Sequence, residues 1–120
     1  MRRYPTILAG ALAAVLPGAV LAEGLFAAIA FSPSTGMSGT AWNFETAGLA
    51  ETEAYHQCGY EDCGTVVVFQ HCGAIAVGRE LYYGYGYALS SATAIDIALQ
   101  NCEARTINCE ITAAFCNEGY

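Results

Sequence analysis

Hydrophobic and polar positions between residues 26 and 118 follow a short pattern that occurs twice along the chain. Each copy opens on an apolar run that is typical of a buried strand, Ala27–Ser32 in the first and Ala74–Val77 in the second. Residues that are mostly aromatic then recur at every second position, and this period of two predicts a second strand. The recurring residues, each trio expected on one strand face, are Thr40, Trp42 and Phe44 in the first copy and Tyr83, Tyr85 and Tyr87 in the second.

An alanine-rich helix is predicted next in each copy. Thr46 and Ser90 precede the two helices and are candidate N-caps, because their hydroxyls can accept hydrogen bonds from the first turn. Small residues then recur every fourth position, which places them on one helix face and allows that face to lie close against a sheet. These residues are Ala50, Ala54 and Cys58 in the first helix and Ala94, Ala98 and Cys102 in the second.

A further predicted strand closes each copy, Thr65–Phe69 in the first and Glu110–Phe115 in the second. The order of features is the same in both copies, which favours an internal duplication over chance similarity. The predicted fold class is α+β, with duplicated ββαβ units, antiparallel sheet or sheets and two helices. The halves are about 26–71 and 72–118, and an approximate two-fold axis is expected to relate them around one shared core.

The N-terminal segment has the layout of a secretory signal peptide. Met1-Arg2-Arg3 is positively charged, and an apolar run from Ile7 to Ala22 follows it. Pro17-Gly18 interrupts this run, which is also shorter than the roughly 20 residues that a spanning helix needs. Residues 1–22 are therefore predicted to be removed, leaving one exported domain, residues 23–120, in the periplasm or outside the cell.

The charge balance of that domain is acidic. The chain has 11 acidic residues against 4 arginines and no lysine, and two of those arginines belong to the predicted signal peptide. Nucleic acid and anionic membrane surfaces are disfavoured as partners, because binding to phosphates requires basic side chains. A basic protein would be attracted, although the same charge can serve only to keep an exported protein soluble.

Several stretches of the chain together resemble a known group, the domain-of-unknown-function family numbered 4189. They are "AAIAFSPSTG", "AETEAYHQC", "CGTVVVF" and "CGAIAVG". The resemblance as a whole covers nearly the whole chain after the predicted signal peptide. The resemblance implies a small exported bacterial protein with disulfides and a compact duplicated fold. It implies no catalytic residues, so it leaves the activity open.

Six cysteines in a short exported chain indicate a disulfide framework. In each half, one cysteine ends the predicted helix and another begins the following strand, so equivalent positions should bond equivalently. The two that remain are expected just after the last strand of each half, where they would join across the two-fold axis. The predicted pairs are Cys58–Cys63, Cys102–Cys109 and Cys72–Cys116.

Two other uses of the cysteines are weaker alternatives. The residues from His56 to Cys72 contain zinc-type ligands, but their spacing fits no common zinc site and the histidines are not repeated. A redox pair at Cys58 and Cys63 is disfavoured, because the neighbouring acids Glu61 and Asp62 would raise a thiol pKa. We therefore expect no metal and no other cofactor.

Catalytic chemistry is poorly supported by the sequence. His56 and His71 are the candidate bases, and no nucleophile motif accompanies them. The aromatic strand is a better lead, since tyrosine is favoured at interfaces when exposed, whereas an inward-facing strand would be core. The candidate binding surface comprises Tyr83, Tyr85, Tyr87 and Trp42.

The predicted function is accordingly that of a non-enzymatic exported binding domain, with a basic protein as the candidate partner. A small envelope enzyme that uses His56 or His71 with nearby carboxylates is an alternative. A structural envelope protein is another.

Overall fold

The structure of the protein is a computed structural model that describes residues 24–119. The predicted signal peptide, residues 1–22, lies outside the described residues. In chain order the elements are β1 (Phe26–Phe31), β2 (Ser38–Phe44), α1 (Ala47–Cys58), β3 (Gly64–Phe69), β4 (Cys72–Val77), a short 3-10 turn (Arg79–Leu81), β5 (Tyr83–Ala88), α2 (Ser91–Glu103) and β6 (Glu110–Cys116).

Two antiparallel sheets of three strands form the centre of the fold, one from each half of the described chain. Their strand orders are β2-β1-β3 and β5-β4-β6, so the first strand of each half lies in the middle of its sheet. Across the two sheets, β2 lies beside β6 and β5 lies beside β3, which is the reciprocal arrangement that a two-fold axis produces. The predicted duplication of ββαβ units is confirmed.

The central strands are buried on both faces, which explains their uninterrupted apolar sequence. On β1, Ala28 and Ala30 pack against α1, whereas Ile29 and Phe31 pack against the other sheet. The second half repeats this division, because Ala74 and Ala76 of β4 face α2. The domain is therefore a sandwich of four layers, helix, sheet, sheet and helix.

Both helices begin at the predicted caps. The Thr46 hydroxyl accepts a hydrogen bond from the Leu49 N–H at 3.1 Å, and the Ser90 hydroxyl accepts one from the Thr93 N–H at 3.2 Å. The first helix ends at Gly59, which adopts a left-handed conformation with φ 85° that glycine tolerates without cost. The predicted stripes of alanine and cysteine are the buried residues of both helices.

Glycines in the strands beneath the helices allow this close packing. A Cβ atom added to Gly39 of β2 would meet the Ala54 carbonyl and the Cys58 nitrogen of α1. At the equivalent Gly84 of β5, an added Cβ would meet the backbone of Asn101 and Cys102 in α2. The helices thus rest on strand backbone.

Aromatic rings fill the space between the two sheets. The ring centroids of Phe31 and Tyr83 are 4.7 Å apart, and those of Phe69 and Phe115 are 5.3 Å apart. Trp42 extends the row, with its centroid 5.6 Å from that of Phe115. These contacts join the halves, since each of the three disulfides lies within one half.

The predicted common face of Thr40, Trp42 and Phe44 is wrong for Phe44, which packs on the α1 side of its sheet. The register between β1 and β2 shifts at this end of the strands, and Asn43 adopts a positive φ of 68°. An irregular residue of this kind breaks the two-residue alternation, so the next side chain changes face.

The cysteines form three disulfides, Cys58–Cys63, Cys102–Cys109 and Cys72–Cys116. The first two each tie the end of a helix to the strand that follows. The expected route of the third across the two-fold axis is wrong. Cys72 opens β4 and Cys116 ends β6, and they lie opposite each other in neighbouring strands of the second sheet.

A buried asparagine connects the end of the described chain to the first half. Asn117 is 1% exposed, and its amide nitrogen donates to the Phe69 and Gln70 carbonyls at 3.3 and 2.9 Å. Its amide oxygen accepts a hydrogen bond from the Asn43 N–H of β2 at 2.7 Å. The residue after β6 therefore fixes one end of β2 to the turn that follows β3.

Two glycine-to-alanine substitutions should have opposite effects on stability. In Gly84→Ala the new methyl group meets α2 backbone, so we expect a loss of about 1–3 kcal/mol in the free energy of unfolding. Gly48 lies in α1, and the methyl group of Gly48→Ala would meet nothing within 4 Å. Because alanine favours a helix more than glycine does, we expect a gain of about 0.5–1 kcal/mol in the free energy of unfolding. Chemical denaturation measures both, and equal effects would contradict the close-packing account.

The long disulfide should contribute more to stability than either short one. The Cys72–Cys116 bond spans 44 residues, against 5 for Cys58–Cys63. Loop-closure entropy gives losses of about 4 and about 2 kcal/mol when each pair is replaced by alanine. Urea denaturation of the two double variants tests this order, and an equal loss would contradict it.

A candidate binding groove

The candidate site is a groove along the outer edge of β2, between that strand and α1. Its volume is about 310 Å³. The strand β2 and the helix α1 both contribute side chains to its lining. The lining residues are Thr40, Ala41, Trp42, Phe44, Glu53 and Gln57.

The chemistry of this groove combines a large aromatic ring with a carboxylate. Trp42 is 50% exposed although one side of its ring contacts Phe115. On the helix wall, the Gln57 amide donates to one oxygen of the half-buried Glu53 carboxylate at 2.7 Å, which orients that carboxylate. A carboxylate can accept further hydrogen bonds, so the groove suits a partner with an apolar surface beside an N–H donor or cation.

The duplication produces a second groove at the edge of β5, with a volume of about 380 Å³. Here side chains of α2 and of the turn that follows it reach the strand backbone. Asn101 donates to the Tyr85 carbonyl at 2.9 Å, and Arg105 donates to the Tyr83 carbonyl at 3.2 Å. The Arg105 guanidinium also lies 5.4 Å from the centre of the Tyr83 ring. The two grooves therefore share their position but differ in chemistry.

The four aromatic residues predicted to form a binding surface do not lie together. Tyr83 is half-buried against Phe31, whereas Tyr85 and Tyr87 are exposed. Trp42 occupies the equivalent position to Tyr87, on the opposite edge of the sandwich, because β2 lies beside β6 and β5 lies beside β3. The arrangement gives two separate aromatic edges.

Charge is distributed unevenly between the halves. Residues 26–71 contain five acidic residues and no lysine or arginine. Both arginines after residue 22, Arg79 and Arg105, belong to the second half. The groove at β2 therefore lies in the part of the molecule that attracts cations more strongly.

One acid of the "CGYEDC" loop has a structural role that its sequence does not reveal. The Asp62 carboxylate accepts a hydrogen bond from the buried Ser32 hydroxyl at 2.7 Å and one from the Ser34 N–H at 3.0 Å. Hydrogen bonds from the Ser32 and Ser34 side chains lower the pKa of Asp62, because they favour its charged form. This acid fixes the β1–β2 turn to the disulfide loop.

The two histidines lie at opposite ends of β3. His56 is exposed on the last turn of α1, where it borders a shallow recess with Tyr60 and Glu61. His71 lies in the turn between β3 and β4, beside Tyr87. The structure thus places each candidate base in a different environment, and it does not bring them together.

The described residues hold no preformed metal cage. Between residues 24 and 119, no group of three or more histidine, cysteine, aspartate or glutamate side chains is arranged to hold a metal ion. The cysteines of the sequence-level zinc alternative, Cys58, Cys63 and Cys72, are in disulfides. Their sulfur atoms are therefore not thiolate ligands.

Neither helix described between residues 24 and 119 combines the length and the apolar content needed to cross a membrane. The three disulfides fit a protein of an oxidising compartment, such as the periplasm or the extracellular space.

Comparison with known proteins agrees with this fold and with the cysteine framework. The family described as Domain of unknown function (DUF4189) matches residues 26–116, which include both sheets, both helices and all six cysteines. The chain belongs to the DUF4189 family. The expected family resemblance is confirmed.

Mycobacterial proteins are among the relatives of this family member. Protein Rv1269c of Mycobacterium tuberculosis and Protein Mb1300c of Mycobacterium bovis are each 37% identical to the chain over 78 residues. The match covers 65% of this chain and spans 61% of the length of either relative. The names of both relatives state no activity.

A solved structure supports the same architecture. The NMR structure of Rv1813c from Mycobacterium tuberculosis has 35% sequence identity to the chain and a TM-score of 0.63. The match covers 78% of this chain and 76% of that one. The duplicated sandwich is therefore shared with a relative of similar sequence.

Acid should weaken the fold partly through Asp62. Because its native pKa is lowered, its contribution is complete above the ordinary value of about 3.9 and is lost as pH falls through the native value. We expect Asp62→Asn to have a lower melting temperature than the wild type at pH 7. Between about pH 5 and about pH 2, the melting temperature of Asp62→Asn should fall less than that of the wild type.

Thermal unfolding followed by circular dichroism at both pH values measures this difference. Glu61→Gln is the matched control, because Glu61 is the neighbouring acid in the same loop and is exposed to solvent. An Asp62→Asn variant that retains the full acid sensitivity of the wild type would contradict the assigned role.

Proposed function

We propose that the protein is an exported, non-enzymatic binding domain that captures a basic protein through the β2 groove. The observation that supports this proposal most strongly is that exposed Trp42 and the Glu53 carboxylate line the same groove. That groove lies in a half that contains no lysine or arginine. Aromatic residues are favoured at the centres of protein interfaces, and complementary charge speeds the encounter of two partners.

Export is part of the same proposal. The charged and apolar layout of residues 1–22 supports a cleaved signal peptide, which would leave residues 23–120 as the working protein. The three disulfides support folding in the periplasm or outside the cell. In either place the fold remains fixed by its covalent links while the groove stays available to a partner.

The enzyme alternative, with His56 or His71 as a base, has weaker support. Around His56 the recess is lined by Tyr55, Gly59, Tyr60 and Glu61, which supply no activated nucleophile. The proposed binding function requires only the shape and charge that the β2 groove already has.

Substitutions in the groove should weaken binding of basic proteins. We expect Trp42→Ala to raise the Kd by about tenfold or more, since it removes a central aromatic contact. Glu53→Gln should raise the Kd about two- to fivefold, because the charge it removes is partly exposed to solvent. Isothermal titration calorimetry of the exported protein against a panel of folded basic proteins and a lysine-rich peptide measures both effects.

The matched control is Tyr87→Ala, which removes the equivalent aromatic residue from the other edge of the sandwich. It should leave the Kd unchanged, and increased salt should weaken the wild-type interaction. Failure of every basic protein and peptide to bind would contradict the proposed function. Equal weakening by Trp42→Ala and Tyr87→Ala would show that the β2 groove is not the binding surface.

A further inference from the structure

The two halves treat their outer strands differently, although the duplication places β2 and β5 in equivalent positions. A strand at the edge of a sheet presents unpaired N–H and C=O groups, to which another extended chain can bond. Folded proteins commonly block such edges. An edge is blocked when other groups of the protein bond to or cover its outward N–H and C=O groups.

The β5 edge is blocked by side chains from α2 and from the turn that follows it. The Tyr83 carbonyl accepts a hydrogen bond from Arg105, and the Tyr85 carbonyl accepts one from Asn101. Both carbonyls must point away from β4 to receive these donors. An incoming strand would have to displace two side chains before it could pair with β5.

The backbone of β2 has the same orientation as that of β5. Thr40 lies opposite Ile29 of β1 and Ser38 lies opposite Phe31. The second half has the same register, in which Tyr85 lies opposite Ile75 and Tyr83 lies opposite Val77. The carbonyls of Ser38 and Thr40 therefore point outward, as those of Tyr83 and Tyr85 do.

The first half has no corresponding block at the edge of β2. Gln57 replaces Asn101, and its amide donates to Glu53 within the same helix. Arg105 has no matched residue, because the loop from helix to strand is two residues shorter in the first half, and residues 26–71 contain no arginine or lysine. Among the bonds of the described residues 24–119, none runs from an α1 side chain to a β2 carbonyl.

We propose that the open edge of β2 binds an extended segment of a basic partner protein, which adds a fourth strand to the first sheet. This inference rests on the proposed function and specifies how the partner binds. Backbone hydrogen bonds to Ser38 and Thr40 supply the pairing, and the adjoining groove receives side chains at Trp42 and Glu53.

Charge favours a basic segment, and not a second copy of the chain, as the occupant of the β2 edge. A second copy pairing through β2 would bring together two halves that each carry five acidic residues and no lysine or arginine. Like charges across an interface oppose association, whereas a lysine or arginine on the added strand can reach Glu53.

The added strand must be short. At the far end of β2, the Asn43 N–H donates to the Asn117 side chain, and the Glu118 N–H donates to the Asn43 side chain. These bonds cover the edge beyond Trp42. The open stretch is therefore Ser38–Trp42, which matches a segment of about five residues.

A pair of peptides tests the backbone pairing directly. The first is a ten-residue peptide that alternates lysine and threonine, and the second is the same peptide methylated on every backbone nitrogen. Both carry the same charge and side chains, but the methylated peptide has no N–H groups for strand pairing. We expect the methylated peptide to bind the exported protein at least tenfold more weakly at low salt.

Proline substitutions test whether the peptide pairs with β2 or with β5. Proline at an outward-facing position removes only an N–H that the sheet does not use. Thr40→Pro should weaken binding of the unmethylated peptide at least tenfold, whereas the equivalent Tyr85→Pro should leave it unchanged. Glycine precedes both positions, so the backbone context of the two variants is matched. Circular dichroism spectra and melting temperatures establish that both variants fold.

The outcomes separate this inference from the proposed function. Equal binding of the two peptides would overturn strand addition and leave charge-based capture in place. Binding of neither peptide nor any basic protein would overturn both. A dimer that sedimentation detects in the wild type and that Thr40→Pro abolishes would show that a second copy occupies the edge, and would overturn the basic segment as occupant. If Thr40→Pro does not fold, the peptide pair still decides the question.

Discussion

The close approach of each helix to its sheet is the constraint on which the rest of the structure depends. At Gly39 and Gly84 the packing leaves no room for a side chain under the helices. The helices carry alanine and cysteine on the stripe that faces these strands. Small residues bury little apolar area each, so a domain built from them gains less from its core than one built from leucine or isoleucine. The aromatic rings between the sheets and the three disulfides supplement this modest core.

The two halves are copies of the same layered unit, and they carry different surfaces. In the second half, Asn101 and Arg105 cover the edge of β5. In the first half, the residue equivalent to Asn101 is an amide that bonds within its own helix, and no arginine or lysine takes the place of Arg105. One unit thus keeps the features of a closed structural module, while the other keeps an open edge beside an acidic, aromatic groove. Retaining two halves allows one to vary while the shared core stays intact.

Most of the architecture could be predicted from the sequence because the repeat gives each feature twice. Thr46 and Ser90 mark the two helices independently, and the four-residue stripes identify their buried faces. The route of the third disulfide could not be predicted, because only two residues separate β3 from β4 and the pattern does not show to which strand Cys72 belongs. The face of Phe44 depends on the backbone conformation of Asn43, which no local pattern reveals. The groove itself depends on which side chains reach across from α1 and α2, and such contacts follow from three-dimensional placement.

Asn117 has a consequence for the order in which the structure can be completed. This residue follows the last strand, yet its side chain holds the Asn43 end of β2 to the turn after β3. A chain that emerges from a ribosome or a translocation channel N-terminus first must therefore release residue 117 before the Asn43 end of β2 has these hydrogen bonds. The first half emerges before the second but becomes fully fixed only after β6 has emerged, so its maturation is coupled to that of the second half.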